Sequence, residues 1–156
     1  MRVLIESYKR QFEQIWDGDP WLDETYAKKL ATVTDKRAFT KGPDGSHSVA
    51  EVVGHIVVWR HELLRRLATN GPRKLGKEIA SDWPENETLR EKGWQPLYAE
   101  LAATQTQLVA LLQENDDLFL QEKMSSRQLA KEYFVAGLLH HDLYHLGQIG
   151  LFLKWV

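Results

Sequence analysis

The stretch Leu139-His140-His141-Asp142-Leu143-Tyr144-His145-Leu146-Gly147-Gln148-Ile149 decides how this chain is read. Wound as a helix, it sets His141 and His145 four residues apart on one face. Their ring nitrogens are then close enough to share one metal ion. Gln148 follows three residues later on that face, and Phe134, Leu138 and Phe152 continue it. The histidines thus sit in an apolar stripe. Burying two imidazoles together requires partners, and a divalent ion, water or a carboxylate would each serve. The segment predicts a helix over 126–154, opened by Ser125 and Gln128 in a capping-box pattern.

The same periodicity recurs upstream. Leu4, Ile5, Tyr8, Phe12, Ile15 and Trp16 predict a first helix, which Trp21, Leu22, Tyr26 and Leu30 carry on to Thr32 with a break at Gly18-Asp19-Pro20. Ser48-Val49-Ala50-Glu51 is a capping box that opens a second helix over 49–69, and Asn70-Gly71-Pro72 stops it. A third helix is expected over 87–114, with Gly93 and Pro96 postponing its regular part to near Gln95. Polar connections cover 34–47, 71–86 and 115–124. In the second of these Trp83 is expected to tuck inward. No strand-like alternation and no repeat is present. Four amphipathic helices joined by polar loops predict an all-α four-helix bundle, with residues 1–156 as a single domain.

Composition narrows the function classes. A length of 156 residues, 43% of them apolar and 27% charged, suits a soluble domain with a sizeable core. The net charge is −2 with both signs interspersed, so nucleic acid is not an expected partner. No apolar run reaches the roughly 18 residues of a membrane span. The N-terminal stretch is charged every few residues, unlike a signal peptide. The absence of cysteine excludes disulfides, thiolate ligands and a cysteine nucleophile. A cytoplasmic protein is the expectation. Six tryptophans are many for this length, and some are expected to wall a pocket or an interface.

His55 shares a face of the second helix with Glu51 and Trp59. Two readings stay open for it: a third metal ligand, or a core histidine hydrogen-bonded to a Tyr or Glu of another helix. Three neutral imidazoles with no thiolate would leave open positions on Zn, Ni, Fe or Mn. His47 reads as a solvated loop residue, His61 as facing elsewhere and His140 as flank. Glu51 is accounted for by its cap. Asp142 lies about 100° round the helix from His141 and reads as surface or interface. Gly147 reads as a site of close helix packing. Arg60, Arg65 and Arg66 would either recognise a ligand's carboxylates or be ordinary solvated charges.

The run His141 to Gln148, the segment SVAEVVGHIVVW from Ser48 to Trp59, and Pro20-Trp21 together resemble the DinB-like (YfiT-like) superfamily of metal-dependent enzymes. The resemblance implies a bundle in up-down-down-up order. It implies one divalent metal on His55, His141 and His145, with Zn or Ni expected and Fe or Mn also admitted. It further implies a homodimer. The activity implied is that of a thiol S-transferase or a related detoxification enzyme, acting on a low-molecular-weight thiol and an electrophilic small molecule. The alternative is a non-enzymatic, stress-associated module that binds metal or a partner. The resemblance assigns no catalytic side chain.

Overall fold

The computed structural model describes residues 1–76, 79, 81–125 and 127–156. Among these the chain forms α1 (Val3–Asp17), α2 (Tyr26–Leu30), α3 (Asp35–Phe39), α4 (Val49–Thr69), α5 (Asn86–Lys92), α6 (Trp94–Glu114), α7 (Asp117–Gln121) and α8 (Lys131–Phe152), and no strand. The long helix α4 follows the sequence expectation at both ends. The Ser48 hydroxyl accepts from the Glu51 N–H at 3.1 Å, and the Glu51 carboxylate accepts from the Ser48 N–H at 2.8 Å. At the other end Asn70 takes the left-handed conformation, with φ 50°.

Elsewhere the expected boundaries are corrected. The first helix does not run to Thr32: α1 ends at Asp17, and two short helices follow. Thr25 and Thr34 start them, each hydroxyl accepting from a backbone N–H three residues on. The third helix is split at Gly93, whose φ of 88° is left-handed and cannot continue a helical turn. Part of the loop 115–124 is helical as α7, and its Asp117 carboxylate accepts from the N–H groups of Val3, Leu4 and Ile5 at 2.9–3.1 Å. A side chain more than 110 residues away thus caps the start of α1.

The fourth helix begins at Lys131 rather than 126. Ser126 lies outside the described residues. Ser125 does not form the expected capping box. Its N–H and hydroxyl donate instead to Asn70 at 2.9 and 2.7 Å, and Gln128 has φ 55°.

The long helices form a bundle in which α4 packs against α6 and α8, and α1 packs against the same two. The core between them holds Ile5, Phe12, Val52, Ile56, Leu101, Leu108, Val135 and Ile149, all fully buried. Each such side chain contributes about 1.5–3 kcal/mol relative to exposure. Gly54 in α4 lets the following connection come close. A Cβ there would meet Leu89 at 3.1 Å and Pro84 at 3.3 Å. That close approach brings Asp82 and Trp83 down beside His55.

Candidate metal centre

The neighbouring helices α4 and α8 bring His55, His141 and His145 together, with one ligand atom of each within 4.8 Å of the others. Nε2 of His141 lies 3.1 Å from Nε2 of His55 and 3.1 Å from Nε2 of His145. Two imidazole nitrogens that share one ion at about 2.1 Å sit about 3.0–3.4 Å apart, whether the ion is octahedral or tetrahedral. Two of the three pairs therefore already hold the spacing of a coordination sphere.

The far nitrogens explain why the near ones face inward. His55 Nδ1 lies 2.8 Å from the Asp82 carbonyl, and His145 Nδ1 lies 2.7 Å from Gln148 Oε1. Both partners accept only, so each Nδ1 carries the proton and each Nε2 turns a lone pair to the centre. Gln148 is itself steadied by donating to the Tyr144 hydroxyl at 3.0 Å. His141 Nδ1 is buried and has no hydrogen-bond partner among the described residues. Lone pairs aimed at one point beside a third nitrogen call for a cation, or for a proton on His141. The donor set fits a divalent ion, with Asp82 and Gln148 orienting two ligands from behind.

Electrostatics agree. Burial pushes His145 down to about 4, with His141 adding to the effect and Gln148 opposing it. His55 is also held below its usual range, chiefly by burial, against the Asp82 carbonyl. Both rings are neutral near pH 7, the state in which imidazole ligates. Trp83 stacks on His55 with ring centres 4.0 Å apart and on His47 at 3.9 Å, covering one side of the site. Trp59 donates to Asp82 Oδ2 at 2.9 Å, so one aspartate holds both a candidate ligand and a pocket wall. Asp82 was not singled out in the sequence. Its partner His55 is 27 residues away, and only Gly54 beside His55 hints at a close approach.

The other sequence candidates separate cleanly. Asp142 is not a surface residue: it and Arg60 are fully buried, and Asp142 Oδ2 accepts from Arg60 at 2.8 and 3.1 Å. That ion pair ties α8 to α4 beside His141, and it removes Arg60 from the ligand-recognition candidates. Tyr26 ties α2 to α8 at the same residue, donating to the Asp142 carbonyl at 2.7 Å. Arg65 is engaged by Glu62 at 3.0 Å. His140 is exposed, and His61 meets Glu100 at 3.2 Å. His47 is half-exposed but stacked rather than simply solvated. Glu51 acts as the cap and pairs with Lys41 at 3.1 Å. Gly147 faces open space, so it does not serve close packing.

Beside His141 lies a cleft of about 440 Å³, lined by Trp59, Leu63, Phe134, Leu138 and His141 among others. No helix among the described residues is long and apolar enough to cross a membrane. A sequence model described as the DinB superfamily matches residues 22–149. No individually curated protein matches the chain.

Proposed function

Since the chain belongs to the DinB superfamily, we propose that it is a metal-dependent enzyme transferring a low-molecular-weight thiol to an electrophilic small molecule. The observation that carries this reading is the meeting of His55, His141 and His145, with His141 also lining an open cleft. When bound there, a divalent ion, Zn or Ni before Fe or Mn, would supply Lewis acidity that lowers the pKa of a thiol.

The chain's own residues do the rest. His55, His141 and His145 bind through Nε2, and Asp82 and Gln148 keep two of those rings in the ligating tautomer. Trp83 shields the His55 side from water, and Trp59 walls the cleft where the two reactants meet. In the transfer a carbon–sulfur bond forms, the bond from that carbon to its leaving group breaks with its electron pair, and the thiol proton passes to water. A non-enzymatic stress-associated module is the alternative. The open cleft beside His141 favours the enzyme, because a closed centre would suffice for a purely structural ion.

The test is elemental analysis of protein purified without chelators, beside His55→Ala, His141→Ala and His145→Ala, followed by a thiol-transfer assay with the ion found. About one equivalent of metal, lost in each variant, and thiol-dependent turnover that stops on chelation are expected. Full turnover by the stripped protein would refute the reading.

A further inference from the structure

Two buried polar atoms at the edge of the three-histidine centre lack a partner, and they are neighbours. His141 Nδ1 and Asp142 Oδ1 are both shut off from solvent, and neither has a hydrogen-bond partner among the described residues. They lie 3.8 Å apart. Buried groups of this kind are paired in folded proteins with few exceptions. A closure of about 1 Å brings this pair to hydrogen-bond distance.

The rest of the centre fixes which of the two donates. His141 Nε2 faces the Nε2 atoms of His55 and His145, each at 3.1 Å. When Nε2 ligates an ion, the ring proton sits on Nδ1, beside the carboxylate. In the other tautomer the Nδ1 lone pair would meet a carboxylate oxygen, acceptor against acceptor. The carboxylate thus favours the ring form that ligates. His55 and His145 already have an oxygen behind them, at 2.8 Å from Asp82 and 2.7 Å from Gln148. His141 is the ring without one.

Asp142 is itself held in place. Its Oδ2 accepts twice from Arg60, at 2.8 and 3.1 Å, and both side chains are fully buried. Arg60 also donates to Thr104 Oγ1 at 3.4 Å. One carboxylate oxygen is therefore committed to the guanidinium, and the other is left over on the His141 side.

We propose that Asp142 is the positioning residue for His141, its Oδ1 accepting from His141 Nδ1–H when the ion is bound. The inference rests on the metal reading and goes beyond it, giving the remaining ligand its partner and the buried ion pair a task at the centre. Such a partner orients a ligating imidazole and raises its basicity, and its loss lowers metal affinity by about 10–100-fold.

The experiment measures zinc affinity, by competition with a chromophoric chelator, in wild type and in Arg60→Met/Asp142→Leu. Removing both charges together strands neither of them, and urea unfolding of the metal-free proteins checks that stability is kept. NMR of isotope-labelled histidine reads which ring nitrogen carries the proton in the zinc-loaded proteins. The double variant is expected to keep its metal-free stability and to bind zinc about 10–100-fold more weakly. In wild type the His141 Nδ1–H signal is expected far downfield and slow to exchange, and in the double variant shifted upfield.

A purely structural ion pair would move neither the affinity nor that signal, and this result overturns the proposal while the metal reading stands. If the double variant fails to fold, the zinc-loaded wild type decides. Zinc on Nε2 with a downfield Nδ1–H upholds the pairing; zinc on Nδ1, or an Nδ1–H without the downfield shift, overturns it. A wild type that takes up no zinc refutes the metal reading, and this inference with it.

Discussion

Replacing Arg60 by Met tests the buried pair that holds α8 against α4. Asp142 Oδ2 accepts two charge-assisted bonds from Arg60, at 2.8 and 3.1 Å, and neither side chain has any solvent exposure. Asp142 Oδ1 already has no hydrogen-bond partner among the described residues. Arg60→Met therefore strands a carboxylate in the core with both of its bonds to Arg60 removed. Breaking one side of a buried pair costs about 3–5 kcal/mol. That is a large part of the roughly 5–15 kcal/mol by which a domain is stable.

With a urea dependence of about 2 kcal/mol per molar, a loss of about 4 kcal/mol moves the midpoint by roughly 2 M. The assay is urea unfolding at pH 7, followed by tryptophan fluorescence in the presence of chelator, for the wild type, Arg60→Met, and Arg60→Met/Asp142→Leu. The double variant removes both charges and is expected to return to within about 1 kcal/mol of wild type, because the desolvation cost goes with them. If Arg60→Met costs less than about 1 kcal/mol, or the double variant is no more stable than the single one, the pair is not the desolvated tie described above.

Three further outcomes are expected. At metal concentrations of about 100 Kd, binding to the native state stabilises by about 2.7 kcal/mol. In a chain of this length chelation should therefore lower Tm by about 5–10 °C in a thermal melt, and an unchanged Tm would contradict metal binding. In metal-free protein, His145 is held at about 4 while the unfolded chain protonates it near 6.5, so the unfolded state binds more protons between those values. Stability should accordingly rise with pH across that window, by about 3 kcal/mol in all, and His145→Gln should flatten the rise in urea midpoints. The Ile5 N–H, with those of Leu4 and Val3, holds Asp117 below the usual carboxylate range. The stability it gives is present above that range and lost as pH falls through its folded pKa. Asp117→Asn should melt below wild type at pH 7, with the gap closing in acid.

What could be read in the sequence was whatever is decided locally. Helix α4 is legible from Ser48 to Asn70 because its cap and its stop are both made by adjacent residues. His141 and His145 are legible because helical spacing alone pairs them. His55 as the third member needed the family resemblance, since a lone core histidine has an ordinary explanation. Asp142 was misread for a physical reason: its position on the helix excludes it from the ligand face, but its partner Arg60 is 82 residues away and leaves no mark on the local pattern. The same holds for Asp82 behind His55. Ser125 and Gln128 matched a capping box by type, but Asn70, 55 residues away in sequence, takes the Ser125 groups instead. Arg66 was among the named arginines, but its company in the cleft, Arg73 and Arg127, comes from two different connections.

The division of the three histidines between α4 and α8 has a topological side. An ion joining His55 to His141 ties together positions 86 residues apart in a chain that has no cysteine. It is thus a cross-link of the reach usually supplied by a disulfide. The chain-entropy model assigns such a tether about 4–5 kcal/mol, through the freedom it removes from the unfolded chain. His141 and His145 can grip an ion within a single helical turn, but they close no loop by doing so. With an ion bound, the staple would therefore reside in His55, and unlike a disulfide it would be undone by a chelator or by acid.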